Sequence, residues 1–416
     1  LPHAGNPIIL WAPARSGFAA AAHARETAAA RHAVHEGGDM TFRKVFGLRR
    51  ALCALVLVLI PAGVVPAQVR TPLPVPDVAG YRALKCDLHL HTVFSDGEVW
   101  PTTRVLEAWR DGLDVIAITD HDEYNPHKED VSADLVRPHE LARRLAAQYG
   151  LLLVPAVEIT RGDIHHNALF VTRPNAFAGL KLEEALLEAR AQDAFVFWNH
   201  PGWRTPKTVW LPEIDALHAK GLIQGVELVN GPVIYPEVFE WAVPKNLAMI
   251  ANSDEHAPLS DRYLPHTRPV TLVFVKTADL AGLREALFER RTVCWGSGQV
   301  WGTAEWLQGL WSGSVTVLNP GLSLGLKARS ATLHFQNRSA IPYRIVLRRP
   351  PSWLRISSAE LSPEKITAVS LSITEKAPLG EHALEAELEI TNLHVEPGRN
   401  LFVRIPLRLR IVEQAP

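Results

Sequence analysis

The sequence predicts an α/β barrel followed by a small all-β sandwich of immunoglobulin type. Between residue 83 and about residue 302, apolar strand-like runs alternate with amphipathic helical stretches. Histidine, aspartate and glutamate gather at the carboxyl ends of those runs. From residue 312 onward the helical period disappears and short alternating runs take its place. Strands alternating with helices at this spacing specify parallel βα units, and eight or so of them in roughly 220 residues suit a closed or nearly closed barrel.

The chain begins with 39 residues that contain no Met and alternate Ala-rich runs with scattered His and Gly. They are read as an unfolded upstream extension, 1–39. From Met40 the pattern changes. Arg43, Lys44, Arg49 and Arg50 precede an apolar run over 51–60, and Val65-Pro66-Ala67 ends in a small residue. This is the layout of a secretory signal peptide, 40–67, so the mature chain is expected to be exported, to a bacterial periplasm or the medium. The apolar stretch is too short for a membrane span and contains Pro61 and Pro66, so no stable membrane anchor is expected. Residues 68–82, with Pro72, Pro74 and Pro76, are read as a linker.

The barrel is assigned to 83–303. Its expected strands are 84–91, 115–119, 152–157, 168–172, 195–199, 225–229, 247–252 and 270–275, with helical patterns over 101–111, 138–149, 182–192 and 278–289. The sandwich is assigned to 312–416 from seven short runs with turn signals between them. Asn337-Arg338-Ser339 matches a glycosylation sequon there and is read as a chance match.

Composition narrows the function. The formal net charge is −1, so no global field draws in nucleic acid or an anionic membrane. Cys53 lies in the segment expected to be removed. Cys86 and Cys294 sit in apolar runs and form no CxxC pair, so they are read as buried free thiols and not as a thiolate zinc site.

The polar residues carry the chemistry. The first strand ends Asp87-Leu88-His89-Leu90-His91, and residues two apart share a strand face, so the two imidazoles can chelate one ion. Ser95-Asp96-Gly97 can turn a carboxylate back over the barrel mouth. Later strands end Thr119-Asp120-His121, Val157-Glu158, Trp198-Asn199-His200-Pro201 and Asn252-Ser253-Asp254-Glu255-His256, and His165-His166 follows the Glu158 strand. Each motif alone would pass for a turn, a cap or a satisfied pair. Together, in order and at strand ends, they describe one site at the face where barrel enzymes carry theirs. Imidazole and carboxylate ligands without thiolate suit Zn, Mn or Fe. The set exceeds what one ion can take, so two to three divalent metal ions bridged by a shared carboxylate are expected. The remaining histidines, among them His127, His139, His218, His266, His334, His382 and His394, are read as surface or packing groups.

In this order the motifs resemble those of the PHP (polymerase and histidinol phosphatase) superfamily over roughly residues 83–300, closest to exported members with a C-terminal β-domain. The resemblance implies a distorted (β/α)7 barrel. It implies that His89, His91, Glu158 and Asp254 hold a first metal, that Glu158 bridges to a second held with His165 and His200, and that Asp96, His121 and His256 hold a third. His165 and His166 are adjacent and either could be the ligand; His165 is preferred. Ala156 stands where the superfamily commonly has Gly.

The activity expected is hydrolysis of small phosphate esters by a hydroxide bridging the ions, and the resemblance implies diesters in preference. His256 and Asp96 are the candidate catalytic groups, and His256 or a water on the third ion could supply a proton to the leaving oxygen. Arg161 is the candidate substrate-binding residue, since a guanidinium matches phosphate oxygens, with Lys128 and Arg262 behind it. Trp198, Trp203 and Trp210 could wall an apolar pocket, and Asp87 could orient an imidazole. The competing functions are a phosphomonoesterase of the histidinol-phosphatase type, a carboxyl ester or lactone hydrolase, and a binding barrel without activity. That last reading expects missing ligands, and none is missing.

Overall fold

The computed structural model describes residues 69–205, 207–259 and 267–413. The expected extension and signal peptide, and Arg262 and His266, lie outside the described residues. The barrel strands are β1 (Arg82–Asp87), β2 (Val115–Ile118), β3 (Leu152–Arg161), β4 (Ile164–Leu169), β5 (Phe195–Trp198), β6 (Gly225–Asn230), β7 (Val233–Ile234), β8 (Ala248–Asn252), β9 (Val270–Val275), β10 (Thr292–Gly296) and β11 (Gln299–Trp301). β2, β5, β8 and β9 are buried at every position. That is the pattern of strands covered on both faces.

Around the wall the order is β9, β1, β2, β3, β4, β5, β6, β8. Pairing is parallel from β1 to β3 and from β5 to β8. It is antiparallel where β4 sits between β3 and β5, and where β9 joins β1. The expected succession of parallel units is therefore corrected. Only Gly162 and Asp163 separate β3 from β4, and two residues can make a hairpin but never a crossover. Gly162 takes the left-handed conformation (φ 67°) that this tight turn requires.

Closure is irregular. Between β8 and β9 the Thr271 hydroxyl stands in for a ladder, donating to the Ala251 carbonyl and accepting from its amide, both at 2.8 Å. At the mouth, the chain beyond β1 meets the chain beyond β8. His91 N donates to Glu255 O and Asp254 N to His89 O. Helices Pro101–Arg110, Arg137–Tyr149, Leu182–Ala191 and Leu280–Phe288 cover the outside where expected. Pro212–Ala219 and Pro236–Ala242 are additional. Both are short and open on a proline, whose fixed φ suits a first helical position.

Residues 69–81, expected to be part of a loose linker, are a packed strap. Leu73 and Val78 are buried, Thr71 N donates to Arg110 O, and Ala340 N donates to Pro74 O. The strap lies against the helix Ala304–Ser314. A Cβ on Gly309 would come within 2.1 Å of Val78 Cγ1, and one on Gly313 within 2.7 Å of Pro76 Cβ. The alternation of Leu73, Val75 and Val78 with prolines gives an extended segment an apolar face, and that face is what it buries.

The helix Ala304–Ser314 spans the expected boundary and leads into β12 (Val315–Val317), β13 (Gly321–Gly325), β14 (Ser330–Asn337), β15 (Tyr343–Arg348), β16 (Leu354–Ile356), β17 (Ala359–Leu361), β18 (Ile366–Ile373), β19 (Gly380–Glu396) and β20 (Arg399–Val412). One sheet runs β12, β14, β18, β16. The other comprises β13, β20, β19, β15 and β17. Leu333, Phe335, Val369 and Leu371 of the first share a core with Ile345, Leu388, Val403 and Leu407 of the second. Asn337 is buried and its amide donates to the carbonyls of Ile341 and Leu361, which removes the sequon from consideration. β19 also pairs in parallel with β11, Val300 opposite Leu393 and Trp301 opposite His394. The C-terminal sheet thus continues the barrel sheet, and both lie in one unit, Gln68–Pro416.

Candidate metal centre

The nine residues expected as ligands meet at the carboxyl end of the barrel. His89 and His91, two apart on an extended segment, bring their Nε2 atoms within 3.2 Å of each other. Glu158 Oε2 stands 3.3 Å from His89 Nε2 and 3.1 Å from His91 Nε2. Asp254 Oδ1 is 3.1 Å from both. On the other side of Glu158, Oε1 is 3.0 Å from His165 Nδ1 and 3.7 Å from His200 Nε2. Asp96 Oδ1 is 3.3 Å from His256 Nε2 and 3.6 Å from both His121 Nε2 and His91 Nδ1. One carboxylate, Glu158, therefore stands between two sets of imidazoles, and a third set gathers on Asp96.

Local backbone geometry serves this convergence. His200 and Asp254 hold φ at 28° and 51°, in a region that costs a non-glycine residue free energy and recurs at functional sites. The Ser95-Asp96-Gly97 turn closes on the first strand's extension, with Gly97 N donating to Thr92 O. A Cβ at Gly97 would lie 2.6 Å from His91 C, so only glycine fits there. Asp120 fixes the turn's position by accepting from the Thr92 and Ser95 hydroxyls at 2.7 and 2.8 Å.

The residues fit divalent cations. Asp96 Oδ1 and Asp254 Oδ1, both in the cluster, are buried without a hydrogen-bond partner, which is costly unless something else satisfies them. Three groups among the described residues bring their ligand atoms within 4.8 Å of one another: His91, Asp96, His121 and His256; His89, His91 and Glu158; His121, Glu158 and His165. Electrostatics agree. Burial works against charge on His91, yet the Asp254 and Glu158 carboxylates beside it outweigh that and push the imidazole up to about 10. His89 is raised in the same way, by Asp254 and Glu158 against burial. Burial would raise Glu158 and Asp254, but the surrounding imidazoles hold both carboxyls well below the usual range. The cluster is built to hold positive charge.

Comparison with solved structures decides the family. A two-domain protein from Bacteroides vulgatus, described as containing a predicted PHP-like metal-dependent phosphoesterase, is 37% identical to this chain. The match covers 82% of this chain and 100% of that one, with a TM-score of 0.76. The chain belongs to the PHP-like metal-dependent phosphoesterases. A 5'-3' exoribonuclease of Haemophilus influenzae is 35% identical over 113 residues, 26% of this chain and 37% of that one; the chain thus spans little more than a third of that relative's length. The lesion-specific endonuclease of Pyrococcus furiosus is a more distant likeness, 16% identical with a TM-score of 0.37, over 53% of this chain and 59% of that one. No family model matches the sequence.

In this PHP-like phosphoesterase some supporting residues differ from expectation. His165 faces Glu158 and His166 faces away, fully buried, with burial lowering its imidazole to about 3. Arg161 is not placed to bind substrate. Its guanidinium donates to both oxygens of Asp122, at 2.8 and 2.7 Å, and to the carbonyls of Thr160, Phe177 and Leu180, which uses it up. Asp87 touches no imidazole. It accepts from Ser253 and from the Arg268 guanidinium and so ties β1 to the chain beyond β8. Glu227 does orient an imidazole: it is fully buried, with Oε1 2.9 Å from His89 Nδ1 and Oε2 accepting from His200 N at 2.8 Å. Its signal was the single acid inside the apolar run Gly225–Asn230.

Arg104, also unforeseen, is fully buried on Pro101–Arg110. It donates to the carbonyls of His91, Glu255 and Ala257 and to Glu107. It clamps together the two segments that carry His91, Asp254 and His256. Of the three tryptophans, only Trp203 lines the cavity over the metal centre. Trp198 is buried and packs on Trp210 and Trp241.

Proposed function

We propose that this PHP-like phosphoesterase is an exported enzyme that hydrolyses small phosphate diesters, using two to three divalent ions of Mn, Zn or Fe. The observation that carries the reading is Glu158: Oε2 stands 3.3 and 3.1 Å from His89 and His91 Nε2, and Oε1 stands 3.0 and 3.7 Å from His165 Nδ1 and His200 Nε2. His89, His91 and Asp254 would complete the first position, His165 and His200 the second, and Asp96, His121 and His256 the third. Ions held there supply Lewis acidity and offset the charge that develops on phosphate oxygens.

The chain's own groups do the rest. Glu227 fixes the His89 ring by accepting at Nδ1, so Nε2 is presented to the cluster. Thr160 Oγ1, 2.8 Å from His121 Nδ1, fixes that ring with Nε2 toward Asp96. His256 is the most open of the imidazoles, its side chain 35% exposed, and lies beside Asp96 at the mouth. It borders the opening through which a leaving group would depart. Export rests on the signal-like segment 40–67. A small substrate fits a cavity of about 330 Å3 above the cluster.

The test is a substrate panel on purified protein loaded with Mn or with Zn, comparing p-nitrophenyl phosphate, bis-(p-nitrophenyl) phosphate and p-nitrophenyl acetate. Turnover of the diester above the other two is expected. Turnover of the acetate alone overturns the reading, and turnover of the monoester alone overturns the diester preference.

A further inference from the structure

The cavity over the metal centre is one half of a larger cleft. A second cavity, about 450 Å3, adjoins the first, and the two share His121, Glu123 and Tyr124. Together they exceed what a phosphate group needs, and each lies in the range of an organic ligand site. The lobes are alike in character. In the first, Trp203 is 36% exposed, packs edge-on against His165 at 5.0 Å, and carries the Arg204 guanidinium 4.0 Å from its ring centroid. Arg204 has φ at 57° and leans on Asp163 at 3.4 Å. In the second, Phe94 and Leu135 form a buried wall, and Ala133, Pro126 and Lys128 complete the lining. Tyr124, 52% exposed, stands on the ridge between them.

Resting on the phosphodiester reading, we propose that the cleft takes a diester with a planar ring on each side of phosphorus, one against Trp203 and the other in the lobe of Phe94, Leu135 and Tyr124. Rings are favoured over flexible chains because each lobe offers an aromatic face or edge, and offset or edge contacts add to the burial itself. Arg204 and Lys128 place one cation in each lobe, outside the cluster, where they meet polar substituents on the rings.

The experiment compares bis-(p-nitrophenyl) phosphate with methyl p-nitrophenyl phosphate, which release the same phenol and differ in the second substituent. The ratio of their kcat/KM values is read in the full-length metal-loaded protein, in Tyr124→Ala, and in Ala133→Trp, which fills the second lobe. Intrinsic reactivity cancels when the ratio is compared between proteins. Both substitutions are expected to lower the wild-type preference for the two-ring ester, by about tenfold, the size of one lost ring contact with its buried area. A ratio unchanged in both variants overturns the two-lobe assignment while leaving the phosphodiester reading intact. If the unsubstituted protein cleaves neither ester, the phosphodiester reading falls and the assignment with it.

Discussion

Glu227 Oε1 lies 2.9 Å from Nδ1 of His89 with both side chains fully sealed from solvent. The carboxylate also accepts from Asn252 Nδ2, Asn230 Nδ2 and the His200 amide, so it holds the His89 ring and the His200 backbone. Replacing it with Gln keeps the volume and removes the charge that raises ligand basicity. Glu227→Gln is expected to weaken binding of the tightest ion by about 10- to 100-fold, measured by competition with a chelator. Unchanged affinity would show that shape alone orients His89.

Glu158 serves two sets of imidazoles. Glu158→Ala is therefore expected to lose two ions together, counted by elemental analysis after reconstitution. A full complement in the variant counts against a bridging carboxylate.

Metal loading should release protons. In the ion-free cluster, neighbouring carboxylates outweigh burial and hold His91 up to about 10, with His89 raised too. A raised imidazole is protonated below its pKa, and a cation must displace that proton to bind. The sign follows: binding at pH 7 liberates protons, and apparent affinity climbs with pH until about 10. Titration calorimetry in two buffers of different ionisation enthalpy measures this directly. Equal heats in both buffers would contradict it.

Arg104 tests the clamp. Arg104→Met strands Glu107 and the carbonyls of His91, Glu255 and Ala257 in the interior. The cost of breaking such a buried arrangement is about 3–5 kcal/mol, seen as a lower denaturation midpoint. Metal content should fall as well, because the two ligand-bearing segments separate. Loss of stability with full metal content would make the residue structural only.

Arg161 supplies a control. Its guanidinium is committed to Asp122 and three carbonyls, so Arg161→Lys is expected to lower thermal stability and leave KM for a phosphate ester unchanged. A raised KM would restore it to substrate binding.

The convergence of the candidate ligands was legible because strand geometry writes it into the sequence. His89 and His91 share a face by period two, and carboxylates at later strand ends converge wherever parallel strands curve into a barrel. What holds the ligands in place was less legible. Glu227 sits within a strand and Arg104 on a helix, and each reaches the site from a direction that no local motif encodes. Arg161 misled because its position directly after Val157-Glu158-Ile159-Thr160 resembled a place at the site, while its partner Asp122 lies 39 residues away. The antiparallel β4 escaped notice because Ile164–Leu169 is half polar, with His165, His166 and Asn167 inside it, and the apolar run expected as a strand, 168–172, begins only at its end; the two-residue Gly162-Asp163 link is what declares the hairpin.

The shared edge between β11 and β19 bears on how this molecule can be cut. Two hydrogen-bonded segments and a proline strap threaded beneath the last helix tie the two halves. A fragment stopping at residue 303 would bare the unpaired side of Gln299–Trp301 and strip the cover from Val78, offering a template for self-association. Heating the intact chain should accordingly give one calorimetric peak instead of two, and grafting this β-module onto an unrelated barrel would fail for want of a matching seam.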